Sequence, residues 1–468
     1  MRTLLTTRPD TRRSARSVVT GAFFVLLAGL AFVAFAPSAR VGFFADDFGY
    51  LNSTLGPRWY ASKQIWDLSG QVLRPVTVIA IGVQHDLFAF RPFAFHLVAL
   101  LLVVGEGGWI WLLARRLDIG EFGALTAAAV LVLHTTQGYL VMWTAATSSL
   151  YAVHFGLALV WLCAVPSLSR RRMAGATGLL LLALLSREIC LVLPAIVTLV
   201  RWQLGSGRWW QRMRTALRET RILWLVLGGF VLTRVVAATW ARTLPVDPNR
   251  LVPILDTSGF RRALPDSPTH LRDLLVLATS PFRFTLGPDG LAFPGWVVLS
   301  AALIWAVVCG LLVREFRAGR PLALVAMGWF LVGLVPPTLL QPEPTYVNYI
   351  DLALPGLALA VGVGFDRLLA GRSVRIRTAV GAVGLAMLTW VAFNGGNTLV
   401  KPPPAIISRP AQIIEQLRGE YPDGPPRGST VVIDHTRGED YLWTSKGDLA
   451  RVLFDDPTLV VEFDPKID

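Results

Sequence analysis

Two adjacent carboxylates, Asp46 and Asp47, lie among aromatic residues in the segment 43–51. Burial and mutual repulsion raise the pKa of at least one carboxyl in such a pair unless a cation, a metal or a hydrogen-bond donor offsets them. One carboxylate could then take a proton, while the other holds a hydroxyl group or a divalent cation, Mg²⁺ or Mn²⁺. The alternative is a solvated loop in which the pair has no function. Asp46 and Asp47 are therefore the candidate catalytic residues and the candidate metal ligands.

Side chains that suit a phosphate group occur at other places in the chain. Arg74 precedes Pro75, and Arg187 and Glu188 are adjacent in a short connection between apolar segments. The planar guanidinium group of arginine matches phosphate oxygens, so Arg74 and Arg187, with Glu188, are candidate phosphate-binding residues. The alternatives are an Arg74 that reaches lipid headgroups and a local ion pair between Arg187 and Glu188. Further residues that could line a substrate cleft are Tyr50, His85, Arg91, His96, Tyr346 and Asn348.

The elements that position these residues are predicted to be membrane spans. The 468 residues are 53% apolar and only 16% charged, and the mean hydropathy is +0.53, whereas a soluble domain carries about 25% charge. This composition predicts an all-α polytopic membrane protein and excludes a disordered chain, a fibre and a disulfide scaffold. About eleven transmembrane helices are predicted, at 18–37, 93–114, 122–140, 148–166, 174–186, 188–201, 222–240, 294–313, 321–340, 349–369 and 378–393.

Arginine-dense connections alternate along the chain and predict its orientation. They lie before residue 18 and at 115–116, 170–172, 201–221, 314–320 and 367–377. Short loops rich in Arg and Lys stay in the cytoplasm, so we expect a multi-pass protein of the cytoplasmic (inner) membrane with its N-terminus inside and its C-terminus outside. Pro37 follows the small residues Ala34 and Ala36, so we expect the first span to be retained rather than cleaved. This charge pattern accounts for the net charge of +13 without a nucleic-acid partner.

Three long segments are predicted on the external side, at 38–92, 241–293 and 394–468. The apolar stretch Leu73–Val83 is too short to span a membrane and is typical of a helix that lies in the interface. In the last segment we predict a polar helix near 409–420 and two strands, Thr430–Asp434 and Thr458–Glu462.

The predicted organisation therefore has three parts. They are a cytoplasmic basic tail at 1–17, a transmembrane domain at 18–393, and a small extracytoplasmic α/β C-terminal lobe at 394–468.

The order of several short motifs resembles that of one family of membrane enzymes. The motifs are the acid pair after the first span, Arg74–Pro75, the stretch Arg91-Pro92-Phe93-Ala94-Phe95-His96-Leu97-Val98, His134 with Trp143, Ser186-Arg187-Glu188, and Trp329-Phe330 followed by Pro336. In this order, over residues 18–370, the chain resembles the GT-C superfamily of membrane glycosyltransferases. The similarity is to the bacterial relatives of protein O-mannosyltransferases in particular.

The resemblance implies a GT-C-like fold and an inverting transfer of a sugar from a polyprenyl-phosphate carrier to a hydroxyl or amine acceptor on the outer face. It implies that Asp46 or Asp47, with Asp46 ranked first, binds and deprotonates the acceptor, in some relatives with a divalent metal. Arg74 and Arg187 would hold the carrier phosphate, and Glu188 would orient Arg187. The implied partners are the lipid bilayer, the lipid-linked sugar donor and an acceptor. Both aspartates are expected to be surface-facing.

The sequence also departs from the family's pattern. Relatives often carry Glu-Arg-Tyr where this chain reads Glu343-Pro344-Thr345-Tyr346, without the arginine, and Tyr139 stands where an acid is expected. Two alternatives therefore stay open: a transporter or flippase of a lipid-linked sugar, and a catalytically inactive GT-C-like assembly subunit. Glu106, an acid within the predicted span 93–114, could belong to a proton or ion pathway, but it has no companion acid in the sequence pattern. The two halves of the sequence show no repeat of the kind that transporters carry.

Overall fold

The structure is a computed structural model that describes most of the chain. The described residues are 11–56, 59–61, 73–243, 268–269, 271–279, 285–287, 290–292, 294–318, 321–340, 349–400, 405–436 and 444–465. The candidate cleft residues Tyr346 and Asn348 lie outside the described residues.

Helices dominate the first half of the chain. The first helix, α1 (Thr11–Phe35), is followed by the shorter α2 (Asp46–Asn52) and α3 (Pro75–Phe88). The helices that follow are α4 (Pro92–Arg116), α5 (Glu121–Val132), α6 (Thr135–Met142), α7 (Thr147–Cys163), α8 (Arg170–Ser186), α9 (Leu193–Leu204) and α10 (Trp209–Thr243). Short 3₁₀ segments lie at Ser38–Arg40, Trp59–Ala61, Thr144–Ala146 and Glu188–Val192. Proline opens both α3 and α4, where its missing N–H would be unpaired in any case.

The second half adds further long helices and two small strand pairs. The helices are α11 (Gly295–Arg317), α12 (Leu322–Leu340), α13 (Leu354–Leu368), α14 (Val374–Val400), α15 (Ala405–Glu420) and α16 (Asp448–Leu453). Strands β1 (Thr285–Gly287) and β2 (Gly290–Ala292) form an antiparallel hairpin. Strands β3 (Thr430–Thr436) and β4 (Val460–Pro465) pair in parallel, with Thr430 opposite Val460.

The prediction of a polytopic helical protein is confirmed. Seven of the described helices are long and apolar enough to cross a membrane, and the bent pair α5 and α6 would make an eighth. A helix overlaps each of the eleven predicted spans, but α8, α9 and α13 have only 17, 12 and 15 residues. A hydrocarbon layer of ~30 Å needs about 20 residues. The count of eleven spans therefore stays a prediction.

The predicted span 122–140 is broken near its middle. Helix α5 ends at Val132 and α6 begins at Thr135, with a bend of 48° between them. His134, between the two helices, has an extended backbone, and its ring accepts a hydrogen bond from the Thr136 N–H. This side chain supplies the N-terminal cap that allows α6 to start in a new direction.

Close approaches between helices hold the bundle together. A Cβ atom placed on Gly362 of α13 would lie 2.5 Å from the Gly123 carbonyl oxygen of α5, and the reverse distance is also 2.5 Å. Small residues allow such backbone contact, which is the usual way for helices to pack tightly in a membrane. The crossing of α5 and α13 therefore requires glycine on both helices.

The C-terminal tail shares a hydrophobic core with the segment that follows α1. The buried members of this core are Phe43, Phe48, Leu51, Leu55, Ile81 and Phe95 from the first part of the chain, and Ile413, Leu417, Val431, Ile433, Leu449, Ala450, Val452 and Leu459 from the tail. The predicted helix and both predicted strands of the tail are observed. The tail buries its apolar side chains against residues 43–95, and its separation at residue 394 stays a prediction.

Candidate active site

Helix α2 carries both members of the acid pair and presents them to different surroundings. Ala45, just before it, has φ 49° and ψ −126°, a backbone conformation that costs a non-glycine residue of order 1–3 kcal/mol. Successive residues on a helix point about 100° apart. As a result Asp46 is exposed while Asp47 is completely buried. The expectation that both aspartates are surface-facing is therefore wrong for Asp47.

Backbone N–H groups from two segments hold the Asp47 carboxylate. Its Oδ2 accepts from the Phe44 N–H at 3.2 Å and its Oδ1 from the Ala145 N–H at 2.6 Å. Burial raises the pKa of Asp47 well above its ordinary value, although the hydrogen bonds from Ala145 and Phe44 oppose this change. Asp47 thus joins the start of α2 to the 3₁₀ segment between α6 and α7.

Asp46 is the member of the pair that a substrate can reach. Partial burial raises the pKa of its carboxyl above the ordinary value, and the nearby positive charge of Arg74 opposes the change. A carboxylate that is accessible and has a raised pKa is suited to accept a proton from a hydroxyl group.

Arg74 forms a two-point ion pair with Glu188. Its Nε donates to Oε2 at 3.1 Å and its Nη2 to Oε1 at 2.5 Å, while its Nη1 donates to the Tyr50 hydroxyl at 3.2 Å. The charges of Arg74 and Arg187 both act on the Glu188 carboxylate. Glu188 thus directly orients Arg74, and its expected orientation of Arg187 stays a prediction.

Arg187 is held by a different set of residues. Its side chain is only 1% exposed, it donates a hydrogen bond to the Ser149 hydroxyl of α7, and its guanidinium carbon lies 4.5 Å from the centre of the Tyr349 ring. A cation over an aromatic face is an attractive arrangement. Both arginines act on the same carboxylate, Glu188, so they lie in one charged cluster.

A hydrogen bond between α3 and α8 brings the two arginine-bearing segments together. The Thr77 hydroxyl donates to the Ser186 carbonyl oxygen at 3.1 Å. Thr77 lies one turn after Arg74, and Ser186 directly precedes Arg187. This contact holds the start of α3 next to the end of α8 and thereby keeps Arg74 and Arg187 in neighbouring segments.

Three other candidate residues have different places. His96 is completely buried, and its Nε2 lies 2.8 Å from the Val41 carbonyl oxygen, so it anchors the turn after α1. His85 lies near the opposite end of α3 from Arg74, about 16 Å away along the helix axis. Arg91 is exposed at the start of α4. The structure places none of these three side chains in a contact with the Arg74–Glu188 pair.

A buried polar network lies within the helix bundle. The Gln137 side-chain amide donates to Asp351 Oδ1 at 3.2 Å and to Glu106 Oε2 at 3.4 Å, and His154 Nδ1 lies 3.8 Å from Glu106 Oε1. The sequence singled out Glu106 by its depth in a span. It gave no signal for Gln137, Asp351, Ser149 or Tyr349, because none of them belongs to a motif.

The two members of the acid pair differ in how accessible they are to a metal ion. No group of three His, Cys, Asp or Glu side chains suited to a metal ion occurs among the described residues. Both Asp47 oxygens already accept backbone N–H groups. Asp46 is therefore the more accessible of the two carboxylates to a divalent cation, and the metal-binding role of the pair stays a prediction.

Comparisons with solved structures identify the fold. The chain is similar to ArnT from Cupriavidus metallidurans bound to undecaprenyl phosphate, with a TM-score of 0.55 and 17% identity over 95% of this chain and 86% of the ArnT chain. The apo state of that protein gives a TM-score of 0.53 and 16% identity with the same coverage. The apo oligosaccharyltransferase of Archaeoglobus fulgidus gives 0.53 and 14% identity over 94% of this chain and 64% of that enzyme.

No protein-family model and no curated protein sequence matches the chain. The similarity thus rests on the course of the backbone over nearly the whole chain. The chain has the fold of ArnT from Cupriavidus metallidurans and of the Archaeoglobus fulgidus oligosaccharyltransferase.

Proposed function

We propose that this protein is an inverting membrane glycosyltransferase that moves a sugar from a polyprenyl-phosphate carrier to an acceptor on the extracytoplasmic face. The observation that supports this function most is the joint position of Asp46, Arg74 and Arg187. An exposed carboxylate and two arginines, contributed by three separate segments, belong to one charged cluster. That combination matches a reaction in which a phosphate leaves while an acceptor loses a proton.

The structural neighbours favour the same class of donor. ArnT was solved with undecaprenyl phosphate bound, and this chain follows its backbone over 95% of the sequence. A polyprenyl phosphate has one anionic headgroup and an apolar tail, so it suits a site with two arginines at the end of an apolar bundle.

The reaction can be written with Asp46 as the base. The acceptor oxygen or nitrogen attacks the anomeric carbon of the sugar, and a new bond forms there as the bond from that carbon to the phosphate oxygen breaks. The electron pair leaves with the carrier phosphate, and the acceptor proton passes to the Asp46 carboxylate. Because the acceptor enters opposite the leaving phosphate, the configuration of the anomeric carbon inverts.

The two arginines stabilise the charge that grows on the leaving phosphate. Fixed cations aimed at the position where charge develops are among the strongest contributions to enzyme catalysis. Glu188 and Tyr50 hold Arg74 in place, while Ser149 and Tyr349 hold Arg187. Neither arginine therefore needs to be reoriented during the reaction.

Turnover of a panel of labelled polyprenyl-phosphate sugars tests the proposal. The purified protein is mixed with each donor and with a membrane extract that supplies acceptors, and the release of carrier phosphate is followed. We expect one donor to be consumed and Asp46→Asn to abolish its consumption, whereas the matched control Asp423→Asn, an exposed acid of the tail, stays active.

Other outcomes identify the alternatives. Donor binding without consumption, unchanged in Asp46→Asn, would favour an inactive assembly subunit. Movement of the intact donor across a vesicle membrane would favour a flippase. Full activity of Asp46→Asn would show that the base is another residue.

A further inference from the structure

The C-terminal tail contacts the helix that carries the proposed base. The Asn52 side-chain amide of α2 donates to Asp448 Oδ1 at 2.9 Å, and Arg451 donates to the same oxygen at 2.8 Å. Ser445 packs so closely that a Cβ atom on Gly49 would lie 2.9 Å from its Oγ. We call residues 444–449 the tail latch. It meets α2 at two points, Gly49 and Asn52.

Helix α2 depends on such contacts for its position. It has only seven residues, and no side chain caps its first turn. Isolated helices shorter than about 12 residues are marginal in water. The strained backbone of Ala45 at its start further favours another conformation. The helix therefore holds its place through the groups packed around it.

The contacts of α2 lie on adjacent faces. Asp46 and Tyr50, four residues apart, share the face that serves the proposed site. Gly49, three residues after Asp46 and three before Asn52, lies between this face and Asn52, and both Gly49 and Asn52 meet the tail latch. A shift of the helix at Asn52 thus changes the position of Asp46 relative to an acceptor.

The tail latch has an unusual backbone conformation where it meets the helix. Ser445, Lys446 and Gly447 have consecutive φ values of 51°, 59° and 89°. Non-glycine residues keep such values only where surrounding contacts determine them. Gly447 packs against strand β4, because a Cβ atom there would lie 2.7 Å from Val461 Cβ. The tail latch therefore transmits the position of the β3–β4 pair to α2.

We propose that Asp448 is a positioning residue that fixes α2 through Asn52 and thereby sets Asp46 for proton transfer. This role rests on the proposed function. The Glu188, Ser149 and Tyr349 contacts of the arginines come from outside both the tail and α2, whereas the Tyr50 hydroxyl of α2 accepts one hydrogen bond from Arg74. Loss of the latch should therefore lower kcat more than it lowers the affinity for the donor carrier.

A charge swap tests the contact. Asn52→Asp places two carboxylates in contact, and we expect kcat to fall about ten- to hundredfold, as for a small misplacement of a reacting group. Adding Asp448→Asn restores a bond of reversed polarity, in which the new amide donates to the new carboxylate. The double variant should recover most of the lost kcat.

A matched control separates positioning from tail stability. Asp456 accepts from the Gly428 N–H and the Thr458 hydroxyl within the tail. Asp456→Ala should lower the unfolding temperature of the detergent-solubilised full chain while kcat of the remaining folded protein stays near wild type. If Asp456→Ala lowers kcat as strongly as Asn52→Asp does, the tail acts through stability alone and the positioning role is wrong.

Hydrogen exchange of the backbone amides at 46–52 gives a readout that does not depend on activity. We expect faster exchange in Asn52→Asp, wild-type exchange in the double variant and little change in Asp456→Ala. Unchanged exchange in Asn52→Asp would overturn the latch, even with an active enzyme. If the wild type transfers no sugar from any donor, the proposed function fails, and with it the positioning role, while the exchange pattern still decides whether the tail fixes α2.

Discussion

At the scale of the residue, Asp46 and Asp47 show how identical neighbours acquire different roles. Asp47 is buried under two backbone N–H groups, one of which comes from Ala145, 98 residues further along the chain. Asp46 is exposed beside Arg74. The sequence predicted that an acid pair lies at this place but could not distinguish its members, because the distinguishing contacts come from a distant segment. The ion pair of Glu188 with Arg74 was not predictable for the same reason, since 114 residues separate the two.

Asp47→Asn should destabilise the protein. The amide group of asparagine brings an N–H donor against the N–H of Phe44 or Ala145, so one buried donor loses its acceptor, at a cost of about 1–3 kcal/mol. We expect a lower unfolding temperature in detergent, measured by intrinsic fluorescence. The control Asp46→Asn, at an exposed position, should unfold close to the wild type, and equal unfolding temperatures of the wild type and Asp47→Asn would contradict the assignment.

The pH dependence of transfer should report the proton acceptor. A general base acts only when deprotonated, so kcat/KM should rise with pH through the raised pKa of Asp46 and level off above it. Arg74→Met removes the cation that opposes this increase in pKa, so the acid limb of the residual activity should move to higher pH. The limb should stay in place in Arg418→Met, an exposed tail arginine. A limb that is unmoved in Arg74→Met would exclude Asp46 as the base.

At the scale of the element, the positions of helices were predictable wherever a long apolar stretch marks a membrane span. Each predicted span overlaps a helix because about 20 apolar residues in lipid have to satisfy their own backbone hydrogen bonds. The break near His134 was not predictable, because it depends on one side chain that caps a new helix. Nor could the sequence show that Ser149 and Tyr349 hold Arg187, since single polar residues near the ends of apolar segments follow no pattern.

The glycine contact between α5 and α13 gives a prediction at this scale. In Gly362→Ala the new methyl group would meet the Gly123 carbonyl oxygen at 2.5 Å, so the helices must separate, which costs about 1–3 kcal/mol for an overpacked interior. Gly364→Ala, on the same helix, meets nothing within 4 Å and serves as the control. Thermal unfolding of both variants checks the difference, and equal midpoints would refute the close crossing.

At the scale of the whole molecule, the exposed surface supports placement in a membrane. In helices α10 and α14 only 11% of the apolar stretch that could span a membrane is buried inside the protein. Side chains such as Leu225 and Val383 are exposed. Contiguous apolar surface of this kind is unfavourable in water and is covered by lipid in a membrane protein. The folded state therefore depends on lipid to cover these apolar surfaces.

The orientation in the membrane is testable with reporters. The arginine-dense connections predict that the C-terminus is outside. A phosphatase fused after Asp468 should be active, because it folds only outside the cytoplasm, whereas the same reporter inserted at Gly207, between α9 and α10, should be inactive. The reverse pattern would contradict the predicted topology and the extracytoplasmic site.

The hydrogen bond between Asn52 and Asp448 joins residues separated by 396 positions. At a synthesis rate of about 5–20 residues per second, Asn52 is synthesised roughly 20–80 s before Asp448. During that time the membrane helices can assemble around the arginines, and Asp47 can join α2 to Ala145, but the latch contact that we propose to set Asp46 is missing. In the proposed topology, the order of translation therefore delays the fully positioned site until the last part of the chain has crossed the membrane, and an incomplete polypeptide should act only weakly on the lipid-linked donors around it.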